Sequence, residues 1–168
     1  MKEIMERRSV RSYTGQPIPE ESLQCLLRAA MRAPSAGNAQ PWAFIVIRDR
    51  DTLDAIQRFH PYASPLKTAP CAIVVCGDLS RQIFPDFWVQ DCSAATENLL
   101  LEAVHLGLGA VWMGLYPMQE RVDDMSQLLG LPETVVPLGV IAVGFPAQIP
   151  PPMDTFHPEY VHYERWEH

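Results

Sequence analysis

The chain has 168 residues, 48% hydrophobic, 20% charged and 9% aromatic. That is enough for one domain with its own core and too little for a multidomain assembly. Thirteen basic against twenty acidic side chains leave a net charge of −7, which argues against a general nucleic-acid binder. No apolar run reaches the ~18 residues of a membrane span, and Met1–Arg11 is too charged for a secretory leader. Four cysteines without paired spacing, Cys25, Cys71, Cys76 and Cys92, exclude a disulfide-stapled scaffold and fit a reducing cytoplasm.

Residues 2–8 read as a short helix. Gly15-Gln-Pro-Ile-Pro19 interrupts the chain. Residues 20–33 follow as an amphipathic helix with Leu23, Leu26, Leu27, Ala30 and Met31 on one stripe. Its first turn carries Pro19, Glu20 and Glu21, all favourable there. Residues 34–41 form a loop of small and amide residues. Trp42–Ile47 is a buried strand, and Asp49–Phe59 a surface helix with Leu53 and Ile56 inward. Ala72–Cys76 is a second buried strand. Residues 79–88 are loop-like, with Phe84, Phe87 and Trp88.

Asp91–Leu106 reads as the central helix. It is apolar or small around most of its circumference, so one subunit of this size leaves part of it for a partner. Gly107-Leu-Gly109 ends it. Ala110–Leu115 is a strand, Glu120–Leu129 a helix closed by Gly130, and Leu138–Val143 the last core strand. Residues 146–168 hold five of the sixteen prolines together with Phe156, Tyr160, Tyr163 and Trp166. That composition suits a tail wrapped on a surface, expected to be the partner's. Four short strands among four or five helices give an α+β or α/β sandwich, a single domain over 1–168 without repeats.

The charge is uneven. Residues 1–58 carry nine basic and seven acidic groups, the remainder four and thirteen, so an anionic ligand belongs with the N-terminal third. There, Arg7, Arg8, Ser9 and Arg11 place three planar cations and a hydroxyl within five residues. The set suits a dianionic monophosphate; it also reads as a solvated basic face. No GxGxxG or Walker loop is present. Ser35, Asn38 and Gln40 put three neutral hydrogen-bonding groups in one loop, fitting a heteroaromatic edge or simply capping the loop. Gly107 to Gly114 would let a flat ligand approach backbone N–H groups, or serve only as a helix end and core strand.

Together these segments resemble the nitroreductase family of FMN-dependent oxidoreductases. The resemblance rests on Arg7-Arg8-Ser9-Val-Arg11-Ser-Tyr, Pro34-Ser-Ala-Gly-Asn38-Ala-Gln40-Pro-Trp42 and Gly107-Leu-Gly-Ala-Val-Trp112-Met113-Gly114. It continues through Gly144-Phe-Pro146 and His162-Tyr-Glu-Arg-Trp166, in the same order along the whole chain. It implies a three-layer α+β sandwich with a central mixed sheet, an intertwined homodimer and two FMN sites at the interface. Arg7, Arg8, Ser9 and Arg11 would hold the FMN phosphate and ribityl chain. Pro34, Ser35, Ala36 and Asn38 would come from the other subunit, with Gln40 near the ring system. Trp112, Met113 and Gly114 would lie along the isoalloxazine, with a backbone N–H near flavin N5. Unlike many relatives, the start of the tail, 150–156, has no cation, so the phosphate charge rests on the N-terminal arginines.

The implied chemistry is ping-pong. NADH or NADPH reduces the flavin, and a small-molecule acceptor (a nitroaromatic, quinone or similar) then takes the electrons. A specialised flavin reaction such as reductive dehalogenation or flavin breakdown, or flavin storage without catalysis, are the alternatives. No protein catalytic residue and no metal are expected, since His60, His105, His157, His162 and His168 lack ligand spacing. These histidines are expected at the surface or at helix ends, the cysteines as small buried hydrophobes. Asp91, Glu97 and Glu102 are expected in solvated or interface roles. Substrate selection falls to Phe84, Phe87 and Trp88 as a lid or as helix-start packing, and to Tyr62.

Overall fold

The computed structural model describes residues 2–151 and 153–166. Five helices and four strands alternate: α1 (Lys2–Glu6), α2 (Glu20–Ala30), β1 (Trp42–Ile47), α3 (Arg50–Phe59), β2 (Cys71–Asp78), α4 (Trp88–His105), β3 (Gly109–Gly114), α5 (Gln119–Leu129) and β4 (Val135–Gly144). Short 3₁₀ turns lie at Ala36–Asn38, Ser64–Lys67 and Pro158–Tyr160.

The strands form one sheet in the order β1-β2-β4-β3. All three pairings are antiparallel. Among the described residues, parallel pairing enters the sheet only through an isolated bridge between Ser9 and Ala110. β2 is central and buried along nearly its whole length. Its side chains alternate between two cores, as the two-residue strand period requires. Cys71, Ile73 and Val75 meet α2 and α4 on one face. Ala72, Val74 and Cys76 meet the inward residues of α3 and α5, Leu53, Ile56, Val122 and Met125, on the other. The three-layer α+β arrangement follows from that alternation.

Element ends differ from the sequence reading for local reasons. α2 stops at Ala30 because the chain turns before Pro34, which disfavours helix just upstream. α1 stops at Glu6 because Ser9 and Val10 are drawn into extended pairing with Ala110. β4 begins at Val135, earlier than Leu138, and tolerates Pro137 because the register shifts between Val75 and Cys76 opposite it. A bulge there removes the need for a proline N–H. The Asp49 carboxylate accepts from Thr52 N–H and caps α3. Among the described residues beyond Pro146 the chain is irregular apart from one 3₁₀ turn, and Phe156, Tyr160, Tyr163 and Trp166 are exposed. Among the described residues, no helix is long and apolar enough to cross a membrane.

Candidate active site

β3 is an edge strand, and the arginine segment is laid against its start. Val10 N–H donates to the Ala110 carbonyl at 3.0 Å. Tyr13, fully inside the protein, donates its hydroxyl to the Val10 carbonyl at 2.6 Å, with the Ala142 carbonyl 3.1 Å away sharing the same proton. Burial pushes that phenol's pKa well up, so it stays a donor. Gly109 is required here, because a Cβ would stand 2.7 Å from the Val10 side chain. The segment carrying the cations is thus fixed to the sheet rather than free.

The three arginines have different environments. Arg7 Nε lies 3.5 Å from Glu97, which partly neutralises it. Arg8 donates to the carbonyls of Met5, Arg7 and Pro151. Arg11 donates to the Ser9 carbonyl. Among the described residues, Arg8 and Arg11 have no carboxylate within 4 Å. Both line an open cavity of about 1280 Å³ between residues 4–11 and the tail from Pro150 to Phe156. Glu6 and Asp154 also line this cavity but form no ion pair with Arg8 or Arg11, and two guanidiniums without a direct carboxylate partner suit a phosphate.

The other end of β3 offers backbone. In an antiparallel ladder, alternate residues direct both N–H and C=O away from the partner strand. Ala110 does so, since its carbonyl bonds Val10; Leu115 N–H instead reaches the Leu138 carbonyl. Trp112 and Gly114 therefore present their main-chain groups outward on the free edge. Trp112 is 36% exposed, whereas the Met113 side chain is buried against α5's core. Met113, alternating with Trp112 and Gly114, turns its main-chain groups toward Val140 on β4, so neither its side chain nor its backbone faces the free edge. Four residues at ~3.4 Å each separate Ala110 from Gly114, so the cations and these edge groups lie ~14 Å apart. An elongated ligand with an anionic end and a flat polar end fits that edge, which is the shape and charge distribution of FMN.

Gly139 on β4 lies beneath the Trp112 indole, with no room for a Cβ. Gly139→Ala is expected to swing Trp112 outward. Because Trp112 is part-exposed and can move, stability should fall by only ~1 kcal/mol. The indole's displacement should appear as a shifted tryptophan emission spectrum and several-fold weaker FMN binding.

The 34–41 loop sits at the opposite corner of the sheet. Its backbone is strained: Gly37, Asn38 and Gln40 all have left-handed φ (60°, 56° and 49°). The turn is held by Gln40 N–H donating to Ser35 Oγ, Gln40 Nε2 donating to Asn38 Oδ1, and Ala36 N–H donating to Asp91 Oδ1 at 3.0 Å. Asp91 is therefore not solvated as expected; it is a buried brace from the first turn of α4. Pro34 and Asn38 are exposed, Ser35 and Ala36 half-buried. The loop enters β1 at Trp42, level with Gly77 on β2, while Ser9 is level with Cys71. Six residues along β2 and four strand spacings across, from β1 to the Ser9 segment beyond β3, separate the two by roughly 28 Å. One chain does not bring the loop to the arginines.

The aromatic segment is divided. Trp88 is buried against Gly77 and edge-on to Tyr116, with ring centroids 5.0 Å apart, so it packs the start of α4. Ile83, Phe84 and Phe87 are exposed, and Ile83 and Phe84 rest on Gly37 of the loop. Tyr62 is 68% exposed, with its ring 5.5 Å from the Arg121 guanidinium carbon.

The convergence of His60 and Arg121 on one carbonyl escaped the sequence reading. His60, expected at the surface or a helix end, does close α3 but is only 2% exposed. Its Nε2 is 3.0 Å from the Gly114 carbonyl, and its Nδ1 accepts from Tyr62 N–H at 3.2 Å. That pairing defines a neutral ring protonated on Nε2. Arg121 donates to the same carbonyl at 3.3 Å. No local sequence signal marks either residue, because the contact spans 54 positions. Burial holds the His60 pKa below the ordinary imidazole value; the Gly114 bond opposes this and the Arg121 charge adds to it. The unfolded chain therefore takes up this proton first. Stability should be level above pH ~6.5 and decline as the pH falls below it. Urea midpoints measured between pH 7.5 and 5 should show that slope, and His60→Gln should flatten it.

Cys71, Cys76 and Cys92 are buried, as expected, and burial pushes their thiols up to about 11, 12 and 12. They are not nucleophiles at neutral pH. No metal-competent cluster of His, Cys, Asp or Glu occurs among the described residues.

An antiparallel sheet between helical layers, with a cation cluster and outward main-chain groups on one edge, is an arrangement that could hold an elongated cofactor with one anionic end. Comparison with known proteins agrees. The sequence matches the model of the nitroreductase family over residues 4–63 and 57–145. A Methanothermobacter thermautotrophicus protein, named a candidate NADH dehydrogenase/NAD(P)H nitroreductase, is 48% identical over 97% of this chain and 85% of its own. The crystal structure of a candidate NADH oxidase of Clostridium acetobutylicum superposes with a TM-score of 0.94 at 45% identity, covering 98% of this chain and 99% of that one. A candidate nitroreductase of Desulfovibrio desulfuricans, solved in complex with FMN, superposes with a TM-score of 0.84 at 31% identity, covering 99% and 96%. The chain belongs to the nitroreductase family of flavin-dependent oxidoreductases.

Proposed function

We propose that this chain is an FMN-dependent NAD(P)H oxidoreductase that reduces nitroaromatics, quinones or similar flat acceptors, acting as a homodimer with two composite sites. The observation that carries the reading is the β3 edge, with uncompensated Arg8 and Arg11 at one end and outward Trp112 and Gly114 backbone at the other. Bound FMN would supply the redox chemistry. Arg8, Arg11 and Ser9 would hold its phosphate, and Arg7 would contribute once drawn from Glu97. Trp112 and Gly114 would border its ring through the edge backbone, with Met113 between them anchoring the strand through its buried side chain.

The loop bearing Pro34, Ser35, Ala36, Asn38 and Gln40 would come from the second protomer. The ~28 Å diagonal supports this, because no single chain closes it. Ile83 and Phe84, resting on that loop, would then cover the same site as the loop. Tyr62 would flank the acceptor, while Trp88 acts from behind by setting the start of α4. The part-exposed stripe of α4, including Ala94 and Leu101, and the exposed tail aromatics supply apolar surface for a partner. The names of the relatives support a nicotinamide donor. Donor and acceptor would use one open face in turn, which is a ping-pong order.

The test is anaerobic mixing of FMN-loaded protein with NADH or NADPH. Bleaching of the flavin band, then recovery on adding a nitroaromatic, with parallel double-reciprocal rate lines, is expected. Sedimentation should give twice the 18.9 kDa chain mass. A colourless monomer that takes up no FMN would refute the reading.

A further inference from the structure

The Gly114 carbonyl is the one outward main-chain acceptor at the end of β3 already committed to side chains. Two donors converge on it: His60 Nε2 at 3.0 Å and an Arg121 guanidinium nitrogen at 3.3 Å. They reach it from different elements, the end of α3 and the first turns of α5. His60 is itself held, because its Nδ1 receives Tyr62 N–H. Arg121 is steadied by the Tyr62 ring. Besides these two donors, the Leu115 N–H bond to the Leu138 carbonyl holds the same peptide, while Gly114 itself has no side chain and nothing within 4 Å of its Cβ position to restrain it.

We propose that His60 and Arg121 are positioning residues that lock the Gly114 carbonyl, so that β3 presents the bound cofactor with a hydrogen-bond donor at this position and not an acceptor. The inference rests on the FMN reading of this edge. With its carbonyl occupied, what Gly114 offers a ligand is its N–H. Releasing the carbonyl lets the backbone at Gly114 tilt against the remaining Leu115 bond and present an oxygen instead. The lock thereby sets the polarity of the edge where the ring lies, which bears on both affinity and redox balance. The neutral state of His60 suits the role. A doubly protonated ring would face Tyr62 N–H with a second donor and stand beside the Arg121 charge.

The experiment compares wild type, His60→Leu, His60→Gln and Arg121→Met in three readouts. These are FMN affinity by flavin fluorescence quenching, the midpoint potential of the bound flavin, and the Gly114 amide resonance in FMN-free protein by ¹H–¹⁵N spectroscopy. His60→Leu should weaken FMN roughly three- to tenfold, change the potential and move the Gly114 resonance. His60→Gln, whose amide can donate to the same carbonyl, should recover most of each effect. Arg121→Met should change the potential in the same direction by less. If His60→Leu folds poorly, the Arg121→Met and His60→Gln arms still decide. Wild-type affinity and potential in His60→Leu would overturn the proposal, as would a loss that His60→Gln shares in full. Wild-type protein that takes up no FMN would overturn the reading of the site, and this proposal with it. FMN uptake by wild type with unresponsive variants would overturn the proposal alone.

Discussion

Arg11→Ala is expected to weaken FMN binding by about ten- to a hundredfold, and Arg8→Ala/Arg11→Ala by more than a hundredfold. A charge-assisted contact to phosphate is worth ~1.5–3 kcal/mol. Neither guanidinium has a carboxylate neighbour among the described residues that would be left unpaired on its removal. The single Arg11 variant is the cleaner test, because Arg8 also ties α1 and Pro151 together through three carbonyls. Arg7→Ala should cost less than Arg11→Ala, since Glu97 already engages that cation. Arg58→Ala, an exposed change on α3, controls for net charge. Fluorescence titration with FMN at two salt concentrations reads the effect. The wild-type affinity should fall with salt and the Arg11→Ala affinity should fall less. Equal affinities in Arg11→Ala and Arg58→Ala would remove Arg11 from the phosphate site.

Gly77→Ala is expected to destabilise the fold by about 3 kcal/mol or more, at the upper end of overpacking effects. The new methyl would overlap the Trp88 ring, a near-rigid neighbour and not the end of a flexible chain. Trp88 cannot retreat, being buried and edge-on to Tyr116. The start of α4 must therefore shift, and with it Asp91, whose carboxylate braces Ala36 in the 34–41 loop. The urea midpoint should drop sharply. Asp91→Ala should by comparison loosen the loop with a smaller stability loss, so the two variants separate packing from loop support. An unchanged midpoint in Gly77→Ala would mean that Trp88 is not seated as described.

The sequence by itself determined the local elements and the types of group available for the site. β1 and α5 stand almost where periodicity and the Gly130 stop place them, because short-range hydrophobic spacing and turn chemistry dominate those segments. Arg8, Ser9, Arg11 and the Gly107–Gly114 run could be proposed for the site from sequence because their chemistry is written in neighbouring residues. The tertiary structure decided the rest. The sheet's antiparallel order depends on which strands pair, and side-chain alternation alone does not encode that. Trp88 turned out to be packing, Asp91 a buried brace and Met113 a core side chain, since burial is a property of assembled neighbours. His60 and Arg121 became partners of one carbonyl only when α3 and α5 closed over the same sheet face. Long-range convergence of this kind leaves no local periodicity, because it arises from packing between elements and not from spacing within one.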